Sequence, residues 1–272
     1  MKTGCALILA ISLLTFPTLA FSEVATPERQ EHSFALGITT EYFEWHEKGV
    51  TIDGPLYGVY GTYTYHGENR LMANASLTLS YGELDYDGFT WSGSAAHANT
   101  EDSVVEFRGL AGYDWTVTEK LIVTPFVGLG YWYWNNDIKG SGGYERETTY
   151  WYCPFGVQTK SPLSQNGEWG VAAEYDLFLG GAVKSHLSDA VSGFNNPEVN
   201  LKAGGGYGVR CSVWIATKME EGFALRVEPF LTYWNIDESH STKLELNGTT
   251  IGHVYEPLND TTSYGLRLSM EF

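Results

Sequence analysis

The chain is 272 residues long, carries a formal net charge of −17 and is 15% aromatic. Such acidity excludes a nucleic-acid binder, which needs basic patches, and three cysteines, one of them Cys5 near the N-terminus, are too few for a disulfide scaffold. No linker or low-complexity tract interrupts the sequence, so a single domain is expected.

The N-terminus opens with Lys2, runs apolar from Ala6 to Phe16 and reaches small residues at Ala20 and Ser22. This pattern predicts a secretory signal peptide over residues 1–22. The apolar run is short for a bilayer span, and no later stretch approaches the ~20 apolar residues of a membrane helix. Residues 23–32 read as a short tail and 33–272 as the folded domain.

From there, segments with a period of two recur between turn-rich breaks, the mark of strands with one apolar face. The first, 33–45, sets Phe34, Leu36, Ile38 and Tyr42 against Gly37, Thr39 and Glu41. Segments 56–66 and 70–82 follow, the second alternating Leu71, Ala73, Ala75, Leu77, Leu79 and Tyr81 with Asn74, Ser76, Thr78 and Ser80. Segment 103–117 places Val105, Phe107, Ala111, Tyr113 and Trp115 opposite Glu106, Arg108 and Asp114. Segment 120–134 is apolar at Leu121, Val123, Val127, Leu129, Tyr131 and Tyr133, and the less regular 147–160 at Trp151, Cys153, Phe155 and Val157. Segments 168–181, 198–216, 222–235 and 261–272 obey the same rule, which gives ten strands in all.

The breaks alternate in length. Those at 66–69, 118–119, 161–167 and 218–221 are short; the others are longer, above all 83–102 and 236–260. An even strand count with short turns on one side and long loops on the other predicts an all-β fold. It is a transmembrane antiparallel up-and-down β-barrel of about ten strands, with short periplasmic turns and long extracellular loops. The tail at 23–32 is then periplasmic. A soluble sandwich or lipocalin-like barrel would bury the same apolar face in a core. Aromatic placement argues against it. Tyr42, Tyr57, Tyr81, Tyr131 and Tyr133 cluster at the loop end of the apolar face, and Tyr63, Tyr113, Trp115, Trp169 and Phe272 at its turn end. Two aromatic belts around an aliphatic band suit a bilayer.

The last ten residues, SYGLRLSMEF, put Tyr264, Leu266, Leu268, Met270 and Phe272 on one face and close on an aromatic. This strand resembles the C-terminal signature of Gram-negative outer-membrane β-barrels, which the barrel-assembly machinery reads during biogenesis. As a pattern the resemblance covers the whole mature chain; its specific motif is these ten residues. The opacity and OmpA-like small barrels and the ten-stranded omptin proteases are the nearest comparisons. The resemblance implies a bacterial outer-membrane protein in contact with lipid and lipopolysaccharide.

If the apolar face meets lipid, the other face lines the lumen, where charges must be paired or hydrated. Counting from the short turns places Glu41, Glu174, Arg210, Glu228 and Arg267 near one level on five consecutive strands with alternating sign. They are expected to form a charge belt, extended by Glu106 with Arg108 and by Arg226 with Glu271. Closer to the loops, Phe43, Trp45, Trp132, Trp134, Phe178 and Trp234 read inward, as a plug or as the wall of a ligand pocket. A ten-stranded barrel is narrow, so a wide channel is not expected.

No catalytic signature stands out. The run 204–208, GGGYG, lacks the order of a P-loop. His46, His97, His186, His240 and His253 lie in or beside outer loops among acids. An omptin-like protease would pair an Asp with a His, as Asp237 and His240 could. A lipid A deacylase would pair Ser with His, as Ser188 and His186 could. Neither pair carries a surrounding motif, and no spacing matches a recognised metal site. Cofactors are therefore not expected, apart from Ca²⁺ or Mg²⁺ held loosely by the acidic loops. The reading is a monomeric barrel with a closed, charge-paired lumen and a structural or surface-binding role toward an unknown ligand. An omptin-like or lipid-modifying enzyme and a narrow solute channel are the alternatives.

Overall fold

A computed structural model describes residues 30–272, apart from 91–92 and 220–221. The signal peptide and most of the tail lie outside the described residues. The wall begins with β1 (His32–Glu47), β2 (Val50–His66), β3 (Leu71–Phe89), β4 (Ala95–Tyr113) and its continuation β5 (Trp115–Thr118). It goes on through β6 (Leu121–Ile138), β7 (Glu145–Pro162) and β8 (Gly167–Ser185). After the short helix α1 (Leu187–Ala190) come β9 (Glu198–Leu201), β10 (Gly206–Lys218), β11 (Ala224–Ile236) and β14 (Asn259–Glu271). A separate hairpin, β12 (Thr242–Leu246) with β13 (Thr249–Val254), stands on the loop side.

Counting β4–β5 and β9–β10 each as one wall strand, ten antiparallel strands run in sequence order. The ring closes where β14 pairs with β1, for example Leu268 opposite Ile38. Closure matters because unpaired backbone groups cannot sit in hydrocarbon, so a sheet spans a bilayer only without edges. Among the described residues no helix is long and apolar enough to cross a membrane.

The apolar face points outward. Leu36, Ile38, Val59, Leu77, Leu79, Phe107, Val127, Leu129, Val213, Val227 and Leu268 are all exposed, although aliphatic or aromatic. Tyr42, Tyr57, Tyr81 and Tyr264 bound this band on the loop side; Tyr63, Tyr113, Trp115, Trp169 and Phe272 bound it on the turn side. The tyrosine girdle is locally continuous, with Tyr42 and Tyr264 rings 5.7 Å apart and Tyr175 stacked on Tyr207 at 5.8 Å.

The connection 237–258 is long as expected and carries the β12–β13 hairpin, whereas other outer connections are shorter than expected. β1 and β2 meet at the two residues 48–49, and most of 83–102 is strand, with β3 reaching Phe89 and β4 starting at Ala95. The strands outrun the apolar alternation because they leave the hydrocarbon there, where an outward side chain no longer needs to be apolar. The segment 198–216 is also not continuous; it breaks between Leu201 and Gly206. At the facing point of β8, residues 179–180 form a bulge where Trp151 opposes Gly180 and Tyr152 opposes Phe178. Gly180 has φ +140°, outside the range of ordinary L-residues. The bulge shifts the pleat by one, so that Val183 enters the interior.

Arginine at a lipid-facing midplane position costs about 2–4 kcal/mol in an outer-membrane barrel. Leu268→Arg is therefore expected to lower the unfolding free energy in lipid vesicles by that amount, read by denaturant titration with the cold and boiled gel shift as reporter. A variant as stable as the parent would show that this face does not meet lipid.

Candidate functional site in the sealed lumen and on the acidic outer wall

The upper lumen is densely packed. Phe43, Trp45, Trp132, Trp134, Phe178 and Trp234 converge there and are almost wholly buried. Tyr150 and Tyr152 join them, although the irregular alternation of 147–160 gave no clear sign of either; only their parity against outward Trp151 marked them. The Tyr150 ring stacks on Trp132 at 4.7 Å and lies 5.4 Å from Phe178 and 5.6 Å from Trp234. Phe43 and Trp45 close on Trp134 at 5.1 and 5.8 Å. Gly130 makes room for this cluster, since a Cβ there would meet the Tyr152 ring at 2.1 Å. The indole of Trp134 donates to Asp102 Oδ1 at 2.7 Å, and Asn136 donates to the same oxygen at 2.8 Å. Asp102 was hidden from sequence reading inside an expected loop.

Below the rings lies a layer of ion pairs. Arg210 reaches across the lumen to Glu106, Nη2 to Oε1 at 2.6 Å and Nη1 to Oε2 at 3.0 Å, and holds Asp176 through Nε at 2.6 Å. Glu174 stands opposite Arg210 in the β8–β10 register, 3.5 Å from its Nε, and pairs with Arg108. The Tyr152 hydroxyl donates to Glu106 at 2.7 Å, and the Arg210 guanidinium lies 5.2 Å from the Tyr152 ring. The structure thus divides the five residues expected in one belt. Arg210 and Glu174 belong to this layer. Glu228 and Arg267 face each other nearer the turns, 3.9 Å apart, with Arg226 at 2.9 Å from Glu228. Glu41 stands two residues above Thr39, the partner of Arg267, and accepts from Ser80 at 3.3 Å. Arg108 pairs with Glu174 and Arg226 with Glu228, so the expected partners Glu106 and Glu271 are not their nearest acids.

Beneath the ion pairs a cavity of about 440 Å³ extends to the periplasmic turns, lined by Tyr60, Asn74, Ser76, Trp214, Arg226 and Arg267 among others. The charge layer forms the roof of this vestibule, and above it only a small void of about 40 Å³ remains, between Arg210, Glu106 and the rings of Phe43, Trp132 and Trp234. A third barrier caps the rings. Arg146 pairs with Glu256 at 2.6 Å, and its guanidinium lies 5.1 Å from the Trp45 ring. Glu256 is fixed by backbone and hydroxyl contacts to Ser239. Glu47 faces the same cap, and burial, opposed by Arg146 and reinforced by Glu256, pushes its carboxyl up to about 7.

Outside the barrel, just above the tyrosine girdle, the polarity of the wall is inverted. Glu83 lies opposite Glu101, Glu101 opposite Asp137 and Asp137 opposite Glu145, so four carboxylates form one cross-strand row. A second row sets Glu44 against Asp53 and Asp53 against Asp85. Side chains so placed have Cβ atoms ~4.5–5.5 Å apart, and like charges there destabilise the sheet. Lys139 partly neutralises the first row, 2.9 Å from Glu101 and 2.5 Å from Asp137. In the second, His46 binds Glu44 at 2.6 Å and Thr51 at 3.1 Å, while Tyr42 donates to Asp53.

The residues singled out for possible catalysis are not brought together. Among the described residues no hydrogen bond or ion pair joins His240 to Asp237, whose backbones bind Asn200 and Gly205. None joins His186 to Ser188, whose N–H instead donates to Asn196 Oδ1 at 3.0 Å. Cys153 and Cys211 are free thiols on the outer face.

A closed up-and-down barrel with an apolar outer band between aromatic girdles is an outer-membrane β-barrel, and its place is the bacterial outer membrane. The sequence matches the family model of the autotransporter beta-domain over residues 34–209, and the chain belongs to that family. No curated protein matches. Among solved structures the outer membrane protease OmpT of Escherichia coli is similar, with TM-score 0.62 and 11% identity over 89% of this chain and 95% of that one. Also similar are the toluene transporter TbuX of Ralstonia pickettii (TM-score 0.39, 10% identity, 90% of each chain) and the attachment invasion locus protein Ail of Yersinia pestis. Ail has TM-score 0.33 and 10% identity over 89% of this chain and 100% of its own. At 11% identity the OmpT likeness shows the fold alone, and the other two carry no further argument.

Removing one member of a buried ion pair strands its partner at a cost of about 3–5 kcal/mol. Arg210→Ala is expected to lower stability by that order in denaturant titration, and adding Glu106→Gln should restore part of it. The cap makes a pH-dependent contribution. Glu47 is held above its ordinary value of 4.5, so its protonated form favours the folded state. Its contribution is full below 4.5 and lost as pH rises through about 7. Between pH 5 and 8 the melting temperature should fall in the parent and fall less in Glu47→Gln.

Proposed function

We propose that the protein is a sealed surface-binding barrel whose working face is the acid-rich outer wall above the girdle. That wall takes up divalent cations and, through them, the phosphate groups of neighbouring lipopolysaccharide. The observation that carries this reading is the row Glu83, Glu101, Asp137 and Glu145. Four directly opposed carboxylates weaken a sheet, and hard cations such as Ca²⁺ or Mg²⁺ relieve that repulsion through oxygen ligands. The position supports it too, since the row stands just beyond the tyrosines that mark the edge of the hydrocarbon. The packed rings and the Arg210 layer argue against the channel alternative.

A ligand that binds only the folded state raises its stability by about 2.7 kcal/mol at a hundred times its Kd. Millimolar Ca²⁺ or Mg²⁺ should raise the melting temperature of the detergent-folded protein, and Glu101→Gln with Asp137→Asn should remove most of that rise. The folded protein should also bind lipopolysaccharide vesicles in a way that EDTA reverses, and pass no current in planar bilayers. Equal cation response in parent and double variant would overturn the assignment to this wall; steady conductance would revive the channel.

A further inference from the structure

The acidic row ends on a residue of different chemistry. Glu145 opens β7 and its carbonyl accepts the backbone N–H of His186 at 2.8 Å, so the two stand opposite each other just past the last β7–β8 pair. His186 is followed by α1, whose single turn brings Asp189 back over it, with Asp189 N–H to His186 O at 3.0 Å. One donor atom from each of Glu145, His186 and Asp189 lies within 4.8 Å of the other two. We propose that these three side chains form a binding site for a borderline divalent metal ion of the Zn²⁺ class.

The donors suit such an ion. Imidazole with carboxylates favours Zn²⁺ and its neighbours, whereas Ca²⁺ and Mg²⁺ take oxygen ligands alone. Three atoms at most 4.8 Å apart share a centre no farther than about 2.8 Å from each. Zn–N and Zn–O bonds are about 2.0–2.2 Å, so each side chain need move inward by less than about 1 Å. An independent observation points the same way. His186 Nε2 is buried and has no hydrogen-bond partner, its nearest carboxylate being Glu147 at 3.7 Å. A ring nitrogen shielded from solvent without a hydrogen bond is costly, and metal coordination at the imidazole would fix which nitrogen carries the proton and which binds.

The surroundings are those of a supported site. Asn135 donates to Glu145 and orients it, as outer partners orient metal ligands. Asn196 pins the helical turn through Ser188 N–H. Three protein donors leave one position of a tetrahedron open, and Asp189, the exposed member, sets that opening toward the outside of the cell. This site goes beyond the surface-binding reading and shares only Glu145 with the acidic row.

The test uses the full-length protein folded in detergent and stripped with EDTA. Zn²⁺ is titrated by calorimetry and Co²⁺ by its visible absorption. One ion per chain is expected, with d–d bands of a tetrahedral or five-coordinate site. His186→Ala and Asp189→Asn should each weaken binding by about tenfold or more, while His240→Ala should not. Should His186→Ala fail to show the folded gel shift, the exposed Asp189→Asn decides. Absence of saturable binding, or binding unchanged in both variants, overturns the proposal. Glu101→Gln with Asp137→Asn separates the two readings: it should remove most of the Ca²⁺ response and leave Zn²⁺ binding intact.

Discussion

Most strands of this barrel pass from hydrocarbon into water without changing their pleat, and that constraint organises the rest. A strand's side chains alternate strictly between two faces, so the chemistry of the two faces has to exchange where the solvent does. On β1 the outward residues are Phe34, Leu36, Ile38 and Tyr42 within the band, then Glu44 and His46 above it. The inward residues run the other way, Thr39 and Glu41 followed by Phe43 and Trp45. β2, β6 and β7 make the same exchange, Trp151 and Cys153 outside giving way to Glu145 and Glu147. Below the girdle the molecule is polar inside and apolar outside; above it, it is an ordinary soluble barrel with an aromatic core. Two strands meet the exchange by altering their pleat: β8 needs a bulge at Gly180 to do so, and β9–β10 breaks between Leu201 and Gly206, turning Val199 and Leu201 inward.

Where the two regimes meet, the interior changes from rings to charges, and the Arg210 layer is the joint. Its groups come from β4, β7, β8 and β10, so it ties walls that are distant along the sheet. Burying such pairs is not a strong source of stability in itself, because desolvation opposes the attraction. Its value lies in specificity. A carboxylate at Glu106 satisfied by Arg210 and Tyr152 together fixes how the two sides of the barrel approach, and a slipped register would leave all three unsatisfied. The cation–aromatic contacts of Arg210 with Tyr152 and Trp234 join the charge layer to the ring layer, so neither is set independently.

Much of this was legible in the sequence, and the parts that were not share a physical cause. The ten strands, most of their outward faces and both girdles followed from alternation, because lipid imposes one simple rule on every outward residue; Val199 and Leu201, which alternation sets outward, instead turn into the core ahead of the break before Gly206. That rule ends at the girdle. Above it the outward side of 83–102 reads Glu83, Asp85 and Asp87, which looks like a loop, although the strand continues there with Leu84 buried behind it. The same break hid Asp102 and the cross-strand acidic rows, which exist only once register is known. Inside the barrel, parity identified the charged and aromatic lumen residues, but their grouping depends on stagger. Glu174 and Arg210 are opposite, whereas Arg210 faces Thr232 on β11 and leaves Glu228 four residues away. Pairing across the lumen, such as Arg210 with Glu106, has no signature along the chain at all.

On the outer wall the sequence works against its own sheet. Inside, every charge of the Arg210 layer sits beside an opposite charge or a hydroxyl, and the rings fill their space to near-complete burial. Outside, where neutral serine or threonine would serve the pleat as well, Glu83, Glu101, Asp137 and Glu145 repel one another in a single line with Lys139 beside them. Natural folds break local rules mainly where function requires it. A barrel closed above by rings and by the Arg146–Glu256 cap presents its upper surface to whatever it meets outside. The repulsion therefore stands on an exposed face above the seal, where relieving it would not disturb the packed rings or the ion pairs beneath.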